Sequence, residues 1–118
     1  MSLTDYSQLP VYKETHDLLL LSFQRLKNVP RDMKYSILGD IQMSLVKILI
    51  YIYQASTSNN KAEPLTRARS LIDEVKVRFR LLCDMRAIGK DLFAEICQHE
   101  ESISKQLGAW LNKSSAKR

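Results

Sequence analysis

Six basic residues against three acidic ones lie between Thr66 and Arg86, in the stretch TRARSLIDEVKVRFRLLCDMR. Five of the six are arginines, whose planar forks meet phosphate oxygens in pairs where a lysine offers a single point charge. The chemistry on offer is an electrostatic grip on a polyanion, sensitive to salt and blind to sequence. A solvated, salt-bridged helix face is the alternative. Arg69 and Asp73, Glu74 and Arg78, and Arg80 and Asp84 stand at the i,i+4 spacing where opposite charges meet on a helix. At helical steps, Arg67 and Arg78 flank one side of the local apolar stripe, and Arg69, Lys76 and Arg80 flank the other. Arg86 falls near the stripe at the helix end, where a long stem carries the charge outward. Residues 57–87 hold seven basic and four acidic side chains, which is three of the five net positive charges of the chain.

Catalytic patterns are missing. The chain has no glycine-rich phosphate loop, no HExxH and no His–carboxylate pair at metal spacing. Neither His16 nor His99 follows the upstream arginine that one helical ribonuclease class requires. His16 lies on an apolar stripe and is expected as a packed ring; His99, beside Glu100 and Glu101, is expected at the surface. Cys83 and Cys97 lack zinc-ligand spacing and are expected as small buried apolar side chains. No enzyme activity, cofactor or metal is expected.

The elements that position these residues follow from length and punctuation. At 118 residues the chain fits one domain over 1–118. Hydrophobic residues make up 45% and charged residues 26%, an ordinary globular balance, and only three Gly and three Pro are present, which favours long helices over a turn-rich β fold. The net charge of +5 favours an acidic partner. The opening MSLTDYSQLP has no signal-peptide pattern and LLLLSF is too short to cross a bilayer, so a cytoplasmic protein without a membrane partner is expected.

Pro10 sits at the start of a first helix with the stripe Leu9, Tyr12, His16, Leu19, Phe23 and Leu26, which Pro30 ends. A second helix from about Asp32 carries Leu38, Ile41, Leu45, Ile48 and Ile52, and stops in STSNN. Pro64 opens a third with Leu65, Ala68, Ile72, Val75, Phe79 and Leu82. Gly89 breaks the chain before a fourth, with Leu92, Ile96, Ile103, Leu107 and Trp110. Short connections make neighbours antiparallel, so the expected fold class is all-α, an antiparallel up-down-up-down four-helix bundle. Residues 1–8 are expected as a flexible lead and 114–118 as a basic tail.

The second helix is too apolar for one buried stripe. Met43, Val46, Ile50 and Tyr53 recur on its other side, and Val77 and Leu81 of the third helix also turn outward. A spaced outer stripe of this kind marks an interface, and self-association through these six residues is expected.

Three segments carry a resemblance: LPVYKETHDLLL from Leu9, LKNVPRDMKYSILGDIQ from Leu26 and SKQLGAWLNK from Ser104. The P-R-x-x-K-Y-x-x-L-G pattern at Pro30–Gly39 and the L-G-x-W ending at Leu107–Trp110 are its most specific parts. Together they resemble the accessory variability determinant of diversity-generating retroelements, one of the four-helix-bundle families related to proteins encoded in ribosomal RNA intervening sequences. The intervening-sequence relatives carry an N-I-A-E-G-like segment late in the second helix; here that region reads ILIYIYQAS, which points to the retroelement branch.

The resemblance implies a non-catalytic protein assembled as a homopentameric barrel. It implies a basic surface that binds a reverse transcriptase and the template-repeat RNA, in support of mutagenic cDNA synthesis. Arg31 and Lys34 match the family's basic positions after the proline. Arg67, Arg69, Lys76, Arg78, Arg80 and Arg86 join them as nucleic-acid candidates on charge and helical geometry. Gly39 and Gly108 are expected at close helix approaches and Trp110 as a core anchor. The alternative function is a structural, oligomeric helical-bundle adaptor that binds no nucleic acid.

Overall fold

A computed structural model describes residues 5–116, all-helical with no strand among them. Its elements are α1 (Pro10–Gln24), the single turn α2 (Arg31–Lys34), α3 (Ile37–Thr57), α4 (Ala62–Asp84) and α5 (Lys90–Ala116). The four long helices form a bundle in which α3 packs on α1 and α4, and α5 on the same two, while the diagonal pairs stay apart. The body measures 46 × 27 × 22 Å.

The expected stripes of the second, third and fourth helices supply the core. Leu38, Ile41, Leu45, Ile48 and Ile52 of α3 are buried, as are Leu65, Ala68, Ile72, Val75, Phe79 and Leu82 of α4. Burying one such aliphatic side chain is worth about 1.5–3 kcal/mol, so these two helices carry most of the apolar driving force. On α5, Ile96, Ile103 and Leu107 are buried, and Leu92 and Trp110 pack against the core while half-covered.

The first helix faces the core one position away from the expected stripe. Val11, Thr15, Leu18, Leu21 and Ser22 are buried, while His16 and Phe23 are exposed. Two hydroxyl residues make this rotation possible. Thr15 Oγ1 donates to the Val11 carbonyl at 2.8 Å and Ser22 Oγ to that of Leu19 at 2.6 Å, so neither brings an unpaired polar group inside. His16 is therefore a surface ring stacked at 6.4 Å from Tyr12, not a packed one.

With 15 residues α1 is shorter than its neighbours, and the segment after it completes the bundle end. Leu26 and Val29 are buried there as plugs. The expected continuous second helix is interrupted at Tyr35–Ser36. Ser36 takes φ −123° and ψ −87°, its N–H bonds to Met33 O, and its hydroxyl donates to the Asp32 carbonyl at 2.6 Å. A serine that satisfies the preceding turn lets the chain change direction between α2 and α3.

At the far end of α3, Lys61 Nζ donates to the carbonyls of Ala55 at 2.7 Å and Ser58 at 3.0 Å, capping the helix with a cation. Helix α4 ends on Arg86, which holds φ 60°. Arg86 N–H bonds Cys83 O at 3.0 Å and Ala87 N–H bonds Leu82 O at 2.9 Å, the paired bonds of a Schellman cap. Gly89 then precedes α5 and accepts from Phe93 N–H at 3.0 Å.

Asp5 caps a short 3-10 turn at Tyr6–Gln8, whose Tyr6 ring lies 4.9 Å from Tyr53 and 5.2 Å from Tyr12. Part of the expected flexible lead is thus laid against α1 and α3, and α5 runs through Ser114 to Ala116. Residues 1–4 and 117–118 of the lead and tail lie outside the described residues.

Candidate nucleic-acid interface and outer apolar face

The stretch Arg31–Thr57 reaches a mean hydropathy of 1.4 in its most apolar window, enough in length and composition for a membrane-crossing helix. In the bundle its inward stripe is core, and the surplus lies outside. Met43, Val46, Ile50 and Tyr53 are exposed on α3 and Val77 and Leu81 on α4, with Met43 at 64% and Val77 at 69%. Tyr53 is shared with the molecule's own N-terminal turn through the Tyr6 ring. Helices α3 and α4 are adjacent, so the outer residues occupy two neighbouring faces of one bundle.

The cations of α4 are largely answered. Arg67 pairs with Glu63 at 3.2 Å, Arg78 with Glu74 at 3.2 Å, and Arg80 with Asp84 at 3.1 Å. Lys76 lies 4.0 Å from Asp73 and 3.8 Å from Glu101 of α5. The expected Arg69–Asp73 pair does not form. The Arg69 guanidinium lies over Gly108 instead, where a Cβ would come within 3.6–3.8 Å of it. These are ordinary contact distances to a side chain, so Gly108 is not the close approach to a neighbouring helix backbone that was expected. Gly39 faces no neighbouring helix either: a Cβ there meets only the Lys34 carbonyl, at an ordinary 3.5 Å.

Arg31 and Lys34 sit apart from this face, on α2. The Arg31 guanidinium stands 5.8 Å from the centre of the Tyr35 ring, and Lys34 Nζ donates to the Lys27 carbonyl at 3.1 Å. The eight expected cations therefore form two groups. One runs along α4 and its C-terminal cap, in which Arg67, Lys76, Arg78 and Arg80 are paired and, among the described residues, Arg69 and Arg86 are not; a smaller one lies at the α1–α3 junction. Among the described residues no carboxylate pairs with Lys27, Arg31 or Lys34, whereas nearby Arg25 is held by Glu95 at 2.6 Å. Lys27 was not singled out by sequence, because its face depends on a loop whose path the helical period does not fix.

Two acidic groups occupy environments that helical periodicity does not reveal. Glu100 occupies a core position between Ile96 and Ile103 and is 3% exposed, with Oε2 unpartnered. Burial pushes its carboxyl up to about 7, against the pull of Lys76. His99, expected at the surface, is instead half-buried and its Nδ1 meets Glu14 Oε2 of α1 at 2.5 Å. Ser102 Oγ donates to the other oxygen of Glu14 at 3.0 Å and accepts from Gln106 Nε2 at 3.0 Å. The serine hydroxyl faces the carboxylate and not the imidazole, so the constellation ties α1 to α5 and does not assemble an activated nucleophile.

Cys83 and Cys97 are free thiols, half-buried rather than fully so, and burial raises the Cys97 thiol above its ordinary value, away from thiolate chemistry. Trp110 packs against the core and also walls a surface cavity of about 640 Å³ with Asn59, Asn60, Lys61 and Lys113. No family model matches the chain, and no curated protein is significantly similar to it.

Proposed function

We propose that this chain is a non-catalytic, self-assembling accessory protein of a diversity-generating retroelement, which binds the reverse transcriptase and its template-repeat RNA to support mutagenic cDNA synthesis in the cytoplasm. The retroelement role rests on the resemblance of the Pro30–Gly39 and Leu107–Trp110 motifs, and the observation that supports the self-assembly is the outer apolar face. Six large apolar side chains stand exposed on two adjacent helices whose inward stripes are already buried. Exposed apolar surface at regular spacing calls for a cover, and a second copy of the same chain supplies one. A homopentameric barrel is the assembly that the resemblance implies. Closure in a ring repeats each subunit's cations, so weak phosphate contacts add as multivalent binding to a long RNA.

The pairing of four α4 cations with carboxylates favours a second function, an oligomeric adaptor whose basic face is only solvated. The two separate at the locus and in vitro. The proposal expects a reverse-transcriptase gene and a template-repeat/variable-repeat pair beside this gene, and co-purification of that enzyme with the chain. An adaptor unrelated to retroelements has neither. A neighbouring reverse transcriptase that fails to bind the purified protein would also remove the polymerase half of the proposal.

A further inference from the structure

The chain from Gln24 to Gly39, QRLKNVPRDMKYSILG, holds four basic residues and one acidic one. It folds as the loop after α1, the α2 turn and the start of α3, and it borders a groove of about 340 Å³. Two aromatic rings line that groove without being part of the core: Tyr35 is 75% exposed and Phe23 is 57% exposed. Lys27 and Lys34 line it as well, and the Arg31 guanidinium lies over one face of the Tyr35 ring at 5.8 Å, leaving the other face for a base. On the inner side Gln42 Nε2 donates to Ser22 Oγ at 3.3 Å, which leaves amide and hydroxyl groups within the lining.

Exposed rings set among unpaired cations suit one kind of ligand better than others. A nucleobase stacks its flat face on an aromatic side chain while the phosphates on either side meet lysine and arginine. In a duplex the base faces are already stacked on one another, so the rings gain nothing there. We propose that this groove binds single-stranded nucleic acid, with Phe23 and Tyr35 as stacking platforms and Lys27, Arg31 and Lys34 on the phosphates. The inference rests on the nucleic-acid binding proposed above and adds its place and its strand preference. Of the α4 arginines, Arg67, Arg78 and Arg80 are already paired, and that face then acts as a secondary, non-selective surface.

The test is fluorescence anisotropy with a short labelled RNA, offered single-stranded and as a perfect duplex, on the full chain. Wild-type protein binds the single strand more tightly at equal salt. Tyr35→Ala and Phe23→Ala each weaken single-strand binding by about tenfold or more and leave duplex binding unchanged. Both side chains are largely exposed, so these variants keep the fold, which circular dichroism checks. Gly39→Leu keeps every cation and obstructs the groove from the α3 side, where the backbone has room for a side chain; it weakens the single strand in the same way.

Equal loss on single strand and duplex would overturn stacking, and an unchanged single-strand affinity in all three variants would overturn the groove while leaving the proposed function in place. Displacement of the strand by poly-glutamate as readily as by unlabelled RNA would reduce the site to a general polyanion contact and overturn it too. If the wild type binds neither RNA, the groove and the proposed RNA binding fall together.

Discussion

Glu14 of α1 and His99 of α5 meet at 2.5 Å, joining the first and last helices of the bundle across 85 residues of sequence. Neither residue belongs to the buried apolar core, and both are half-buried where α1 meets α5. Ser102 completes the tie through the second oxygen of the same carboxylate. His99→Ala and Glu14→Ala are each expected to lower unfolding free energy by about 1–2 kcal/mol, as for partly buried charge-assisted bonds. A double-mutant cycle by urea denaturation is expected to show coupling of at least about 0.5 kcal/mol. Strict additivity would mean that the contact contributes nothing.

Glu100 gives the fold a pH dependence opposite to that of a salt-bridged carboxylate. The folded chain keeps the proton until about pH 7, whereas an ordinary glutamate releases it near pH 4.5. Between these values the native state binds more protons than the unfolded one, so stability falls as pH rises. The contribution is complete below about pH 4.5 and lost above about pH 7, a difference on the order of 3 kcal/mol. Lys76 and Glu101 flank the group and act in opposite directions on it. Glu100→Gln is expected to lack this slope, so that the wild-type-minus-variant difference falls by on the order of 3 kcal/mol across the window and the variant is the more stable protein above neutral pH. Urea titrations over the pH range read that difference directly.

Arg86 stands in the left-handed region at φ 60°, where a Cβ is unfavourable and glycine is not. Arg86→Gly is expected to stabilise the chain by about 1 kcal/mol, roughly 4 °C in Tm. Scanning calorimetry checks the sign. A lower Tm would mean that the arginine side chain holds the α4–α5 corner more firmly than its backbone strain loosens it.

The division of cations into paired and unpaired predicts different salt dependences. Lys34→Gln and Arg31→Gln are each expected to reduce the slope of log K against log salt for a single-stranded RNA by about 0.7. Arg78→Gln and Arg80→Gln, which lose guanidiniums already facing Glu74 and Asp84, are expected to change it less. Filter binding at several salt concentrations ranks the four. A reversed ranking would return the phosphate grip to α4.

Much of the fold was legible because its signals are local. The stripes on α3 and α4 are continuous apolar repeats, and every position expected in them is buried. The outer face followed by subtraction, and all six of its residues are exposed. What escaped depends on tertiary neighbours. Thr15 and Ser22 are absent from the apolar stripe read for α1, yet both are buried with their hydroxyls bonded back to the helix. Glu100 reads as a solvated acid and lies in the core. His16 and His99 exchanged environments for the same reason: one sits on the rotated face of α1 and the other finds Glu14 on a helix distant in sequence. On α4 the i,i+4 rule anticipated Glu74–Arg78 and Arg80–Asp84, but Arg69 lies over Gly108 of α5 and not beside Asp73. The groove beside Phe23 was invisible because a helical stripe counts that ring as core.

The central claim is that the outer face of α3 and α4 is covered by further copies of this chain. Light scattering on size-exclusion eluate, for wild type and for Ile50→Glu, tests it most directly. A wild-type mass about five times the 13.7 kDa of one chain is expected, with a dissociated variant of unchanged helical content. A wild-type monomer, or an Ile50→Glu protein that keeps the full assembled mass, would contradict it.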